Sequence, residues 1–235
     1  MNNLMIADDD LNFSKQLFNN IIQKNKEIRL CNISTNGKEA ISAIKALDKS
    51  DIVLLDLKLP KLDGIELLKD ISDLPYIIVI SGNIEQLYQE KEALKVVCGV
   101  ISKPVDYDKL EKIIKELTLK EQQEMQKEFI IQQLNKFRFN QNSKAFGYLV
   151  ETLLIAIMFR NDVDNIEKNI YVKVAKRYKT KAINVKWSIE KLITSMYLNT
   201  NSKIICEYFN FYEERKPTTK CLINTIIDKY EKAKE

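Results

Sequence analysis

Residues Ile52–Gly64 read IVLLDLKLPKLDG, and this stretch decides the fold of the first half of the chain. Four apolar residues run into Asp56, after which Pro60 and the pair Asp63-Gly64 signal a turn. A short apolar run closed by turn residues reads as a buried strand of a parallel sheet, with Asp56 at its carboxyl end. In open α/β sheets that end is where ligands bind. An unpaired buried carboxylate is costly, so Asp56 needs partners.

The flanking sequence repeats the same pattern. Asn3–Ala7 is an apolar run ending in Asp8-Asp9-Asp10, followed by Leu11, Leu17, Phe18, Ile21 and Ile22 at helical spacing. Ile28–Ile33 reads as a strand, and the helix opened by Gly37 places Ala40, Ile41, Ile44 and Leu47 on one face. Ile65, Leu67, Leu68 and Ile71 mark a helix after the central stretch, and Tyr76–Ile80 is a strand ending in Ser81-Gly82. A helix is predicted over roughly 84–96. Val97–Ile101 is a fifth strand, ending in Ser102-Lys103-Pro104, and Asp106 caps a helix with Leu110, Ile113, Ile114 and Leu117 inward. Five alternating βα units imply a five-stranded parallel sheet with helices on both faces.

The polar residues of these units converge. Asp8 and Asp9 end the first strand, Asp56 the third, Ser81 the fourth and Lys103 the fifth, so all five fall on one rim of one sheet. Carboxylates packed together repel, which favours a bound divalent cation, and oxygen ligands with room for waters suit magnesium (or manganese). A lysine opposite neutralises phosphoryl oxygens as a point charge, and a serine hydroxyl can hydrogen-bond one of them. Such a site can accept a phosphoryl group on Asp56 by positioning and charge neutralisation.

Composition bounds the rest. The chain has 235 residues, enough for one large domain or two small ones, and no histidine, which removes His-based triads, most zinc sites and any phosphohistidine of its own. No apolar run approaches a membrane span, the N-terminus lacks the regions of a signal peptide, and Cys31, Cys98, Cys206 and Cys221 show no paired spacing. A reducing, cytoplasmic setting with no membrane partner is expected. Residues 1–118 carry a net charge of −3 and residues 119–235 a net of +7. An acidic half followed by a basic half suggests an ion or phosphate site followed by a polyanion-binding module, the alternative being an accident of surface composition.

Residues 1–118 resemble the receiver domain of two-component response regulators. The motifs that carry the resemblance are IADDD, DLKLPKLDG, ISG and ISKP. It implies a flavodoxin-like fold with Asp56 as phosphoacceptor and a metal held by Asp8, Asp9, Asp56 and the backbone carbonyl of Lys58. It further implies Ser81 as the switch hydroxyl, Lys103 as the phosphoryl-contacting lysine, and a cis bond to Pro104. The family usually places an aromatic three residues before that lysine. This chain has Val100, so coupling through a swinging ring is not implied here.

The second half is built differently. After a charged stretch at 119–128, read as a linker or a helical extension, Phe129, Ile130, Leu134 and Phe137 give an amphipathic helix. Further helices are predicted over about 144–160, around Ile170–Tyr178, over 182–198, around Ile204–Phe209, and after Pro217, where Thr218 or Thr219 caps the last. The short helix ending near Lys179, a turn of about four residues and the helix from Ala182 make a helix-turn-helix candidate. Lys173, Lys176, Arg177, Lys179, Lys181, Lys186 and Lys191 lie within nineteen residues, opposed only by Glu190. Such a cluster can neutralise phosphates of double-stranded DNA, the plain alternative being a solvated helical face. Val185, Ile189, Leu192 and Met196 fix the buried face of the second helix, which turns Trp187, Lys191 and Thr194 outward, flanked by Asn184 and Glu190. An outward tryptophan suits contact with DNA or with another protein surface, unless the register is shifted and Trp187 packs on a neighbouring helix.

Residues 129–235 resemble the effector domain of the response regulator that controls sporulation initiation in endospore-forming bacteria, carried by VAKRYKTKAINVKWSIEKLI and ERKPTTKCLINTIIDKY. The resemblance implies an all-α, six-helix DNA-binding unit with a helix-turn-helix that pairs on tandem sites. That family reads bases with arginines on its recognition helix. Asn184, Trp187 and Glu190 stand here instead, which implies a different operator sequence. The function that follows is a transcription factor, not an enzyme, phosphorylated by a histidine kinase or phosphotransfer protein and acting as a homodimer on DNA. Two alternatives remain: a protein-interaction output through the basic domain, and a phosphorelay or phosphate-sink role without DNA.

Overall fold

A computed structural model describes residues 2–71 and 75–234. The expected domain ends at Met1 and Glu235 lie outside the described residues. By internal contacts the chain divides into two compact units, 1–121 and 122–235.

The first unit is a parallel sheet of β1 (Asn2–Ala7), β2 (Ile28–Ser34), β3 (Ile52–Leu55), β4 (Tyr76–Ser81) and β5 (Val97–Ser102), in the order β2-β1-β3-β4-β5. It is the flavodoxin-like, doubly wound arrangement. Alternate residues along each strand feed opposite layers, as the period of two requires. Met5, Val53, Leu55, Ile77 and Val79 pack with α2 (Gly37–Ile44), α3 (Gly64–Asp70), α4 (Glu85–Gln89) and α5 (Lys91–Lys95). Leu4, Ile6, Leu54, Ile78, Ile80 and Ile101 pack with α1 (Leu11–Lys24) and the start of α6 (Tyr107–Leu134).

The single helix predicted over 84–96 is instead two, broken at Glu90, whose φ of −100° and ψ of 84° are not helical. Leu87 and Ala93 are both fully buried, yet six residues at ~100° each would turn them ~120° apart on one continuous helix. The break lets both reach the core. The segment 119–128 is helical, as part of α6, which ends at Leu134 and leaves Phe137 in the turn beyond.

The second unit is helical. It contains the end of α6, then α7 (Lys144–Met158), α8 (Ile166–Arg177), α9 (Ala182–Asn199), α10 (Ser202–Phe209) and α11 (Thr219–Lys232). The helix predicted to Arg160 ends at Met158, and a 3-10 turn covers Arg160–Asn165. Leu149, Leu153 and Ala156 of α7 are fully buried at the centre of one apolar cluster, to which Ile130, Leu134, Ile170, Val174, Val185, Ile189, Leu222 and Ile226 also belong. Phe137 closes it against Tyr208 and Phe209, with ring centres 4.7 and 5.7 Å away. Side chains start the helices where the sequence allows: Ser143 caps α7, Asn201 caps α10 and Thr218 caps α11. Among the described residues no helix is long and apolar enough to cross a membrane, and all four cysteines are free.

Candidate functional site

Backbone register assembles the first site. Ala7 pairs with Leu55 and Ser81 with Ser102. The ladder then continues one step past the strands. Asp56 N–H donates to the Ala7 carbonyl at 2.8 Å, and Lys103 N–H to the Ser81 carbonyl at 3.0 Å. Side chains from four strand ends therefore face one another at the carboxyl rim.

The Asp56 carboxylate is buried and fully engaged. Its Oδ1 accepts from Ser81 Oγ at 2.7 Å and from the Lys58 backbone N–H at 3.1 Å, and its Oδ2 from Lys103 Nζ at 2.6 Å. Lys103 Nζ also donates to Asp8 Oδ2 at 2.7 Å, so one ammonium bridges the two buried carboxylates. Asp9 is exposed, but carboxylate oxygens of Asp8, Asp9 and Asp56 lie within 4.8 Å of one another. An all-carboxylate set open to water on the Asp9 side is a donor set that fits a hard divalent cation.

The electrostatics show an incompletely compensated site. Burial raises the Asp8 carboxyl above its ordinary pKa, although Lys103 and the Asp10 backbone N–H pull the other way. Burial also works against the Lys103 charge, but its hydrogen bonds to Asp56 and Asp8 outweigh that and hold the ammonium above the ordinary lysine value.

The loop after β3 is shaped by glycine. Gly64 N–H donates to the Leu57 carbonyl at 2.9 Å, and a Cβ on Gly64 would stand 2.7 Å from Leu57 Cα and 2.8 Å from the Asp56 carbonyl oxygen. Only the absence of a side chain lets the chain return so close to Asp56. The Lys103-Pro104 bond is cis. Val100 is half-buried, packs on the core layer shared with α2 to α5, and its carbonyl accepts from Lys109 Nζ at 2.8 Å. The side chain three residues before Lys103 is thus a partly buried aliphatic one.

A second surface is formed by α8, the turn at 178–181 and α9. The buried register of α9 is Val185, Ile189, Leu192, Ile193 and Met196. Trp187 is 55% exposed, and Asn184, Lys191 and the turn residues Lys179 and Lys181 are exposed as well. Lys179 sits in the left-handed region at φ 52°, and Thr180 N–H reaches back to the Ala175 carbonyl at 2.9 Å, the bond pattern that closes a helix with a left-handed residue.

The seven basic residues of this region are not equivalent. Lys173 pairs with Asp162 at 2.8 Å, Lys186 with Glu167 at 2.6 Å, and Arg177 with Glu151. The expectation of a cluster opposed only by Glu190 is corrected here, because acidic partners arrive from α7, the 3-10 turn and the start of α8. Lys176, Lys179, Lys181 and Lys191 make no ion pair among the described residues. Asn184 bonds Thr180 at 3.2 Å, and Thr194 is half-buried. Lys216, far along the chain from the basic stretch at 173–191, donates to Thr194 Oγ1 at 3.2 Å and so joins the outward face of α9. Its only signal was a basic pair before Pro217. A cavity of about 680 Å³ opens there, lined among others by Trp187, Lys191, Thr194, Leu198, Lys216 and Thr218.

Comparison with known proteins agrees with this two-part organisation. Residues 4–115 match the response regulator receiver domain, and residues 130–230 match the family described as sporulation initiation factor Spo0A C terminal. An uncharacterized response regulatory protein of Staphylococcus epidermidis is 24% identical over 193 residues, 82% of this chain and 70% of that protein. A protein-glutamate methylesterase/protein-glutamine glutaminase of Lawsonia intracellularis is 38% identical over 80 residues, which is 33% of this chain and 22% of that enzyme. Among solved structures, a response regulator receiver domain protein from Methanospirillum hungatei is 26% identical and covers 52% of this chain and 98% of its own, with a TM-score of 0.43. With a receiver domain over 4–115 and a Spo0A-type C-terminal domain over 130–230, the chain belongs to the response regulators.

Proposed function

We propose that this response regulator is a DNA-binding transcription factor controlled by phosphorylation of Asp56. The observation that carries the reading is the Asp56 carboxylate held by Ser81, the Lys58 N–H and Lys103, with Asp8 and Asp9 beside it. A carboxylate oxygen of Asp56 attacks the donor's phosphorus in line. The bond to the donor nitrogen or oxygen breaks, and the donor leaves with that electron pair. Lys103 and Ser81 then turn from the Asp56 carboxylate toward the phosphoryl oxygens. Asp8, Asp9, Asp56 and the Lys58 carbonyl would hold magnesium (or manganese), which when bound neutralises phosphoryl charge. The chain has no histidine, so a phosphohistidine donor belongs to a partner, a histidine kinase or phosphotransfer protein. The setting is the cytoplasm.

The output is double-stranded DNA. Of the proposed DNA-facing residues, Lys176, Lys179, Lys181 and Lys191 supply unpaired charge, and Asn184, Trp187 and Thr194 face the groove. Lys173, Arg177 and Lys186 act at the edge, where ion pairs must open first. Phosphorylation favours a homodimer that places two helix-turn-helix units on paired half-sites. The receiver extends over 1–118 and the effector over 129–235, joined by 119–128.

Two measurements test this. Incubation with radiolabelled acetyl phosphate and magnesium should label the wild-type chain and leave Asp56→Ala unlabelled. Labelling of the variant would displace Asp56 as acceptor. Binding to a DNA duplex should weaken steeply with salt, by ~0.9 log units per log unit of salt for each neutralised phosphate. A slope near zero would favour the rival in which exposed Trp187 docks on a protein instead.

A further inference from the structure

Lys103 has a third contact besides its two carboxylates. Its Nζ lies 4.5 Å from the centre of the Phe13 ring. Phe13 belongs to the first turn of α1, and the cap that starts this helix fixes its place. Asp10 Oδ1 accepts from the backbone N–H groups of both Asn12 and Phe13 at 2.9 Å. The same Asp10 donates its own N–H to Asp8 Oδ1 at 3.0 Å. Phe13 is half-buried and packs on the core layer beneath α1. Cap, ring, ammonium and carboxylates are therefore one connected assembly.

The chemistry gives the ring a task. In the resting site Lys103 Nζ is 2.6 Å from Asp56 and 2.7 Å from Asp8. Phosphorylation moves negative charge outward from the Asp56 oxygen to the phosphoryl group, and the ammonium must follow it. Lysine is a flexible point charge, strongly hydrated when free. An aromatic face attracts a cation without the directionality of a hydrogen bond, so it can hold the ammonium desolvated while its hydrogen-bond partners change. A leucine of similar bulk would exclude water but offer no such attraction.

We propose that Phe13 is a positioning residue for Lys103 in phosphoryl transfer, a role that rests on the reading of Asp56 as phosphoacceptor. The full chain is assayed for initial phosphoryl uptake from acetyl phosphate with magnesium, as wild type, Phe13→Tyr and Phe13→Leu. Tyrosine should preserve the rate within about two-fold, and leucine should slow it about five-fold, as expected for loss of one cation–π contact. A denaturation cycle over wild type, Phe13→Leu, Lys103→Met and the double variant reads the contact without turnover. The double variant should lose less stability than the two single losses added. Equal uptake by wild type and Phe13→Leu, or strictly additive destabilisation, overturns the proposal while leaving Asp56 in place. Absence of uptake by the wild type itself overturns the Asp56 reading and this role with it.

Discussion

At the scale of single residues, Asp8 sets the cost of the site. It is 2% exposed, its carboxyl is raised by burial, and its main compensation is an ammonium shared with Asp56. A cation binding the folded chain and not the unfolded one adds stability through mass action. Magnesium should therefore raise the melting temperature of the wild type, and Asp8→Asn should abolish that rise. The metal-free stability of Asp8→Asn should stay within about 1 kcal/mol of wild type, because relief of a buried charge offsets a lost hydrogen bond. Magnesium-dependent melting curves of the two proteins check both statements. Asp8, Asp56, Ser81 and Lys103 were legible in the sequence because each follows an apolar run at a strand end, so the period of the fold itself aligns them. The Phe13 contact was not legible. Its spacing reads equally as core packing of α1, and only the distance to Lys103 separates the two.

At the scale of elements, two positions show where local rules bind. Gly64 closes the loop after β3 against Leu57 and Asp56, where an added Cβ would meet backbone at 2.7 Å. Gly64→Ala should cost roughly 1–3 kcal/mol in chemical denaturation, because backbone on that side has little room to move. Lys179 occupies a left-handed position that favours glycine, so Lys179→Gly should stabilise the chain by roughly 1 kcal/mol. The same change removes a cation from the outward surface. Its salt dependence of DNA binding should flatten by about one phosphate's worth even as its melting temperature rises. Asp106 and Thr218 announce the starts of α6 and α11 in the sequence, whereas α2 stops at Ile44, short of Leu47, and α8 starts at Ile166, ahead of Ile170. The break at Glu90 was hidden, since Leu87 and Ala93 reveal their conflict only when both are seen buried. The ion pairs of Lys173, Arg177 and Lys186 were hidden too, because their acidic partners lie 11, 26 and 19 residues earlier in the chain.

At the scale of the whole molecule, the carboxylate cluster of Asp8, Asp9 and Asp56 and a basic helical surface stand on two separately cored units of one chain. Val100 stands where the receiver resemblance expects an aromatic, and under the proposed function control lies in assembly, with pairing on phosphorylation raising occupancy through effective concentration. Among the cations, those without ion pairs should matter most. Lys191→Ala should weaken DNA binding and flatten its salt slope more than Lys186→Ala, which already shares its charge with Glu167. The central claim is that the state of Asp56 decides where this chain binds DNA, and genome-wide mapping of bound DNA with wild-type and Asp56→Ala protein tests it most directly. The account predicts discrete sites with paired half-sites for the phosphorylated wild type and their loss in Asp56→Ala. The same sites at the same occupancy in both proteins, or none in either, would contradict it.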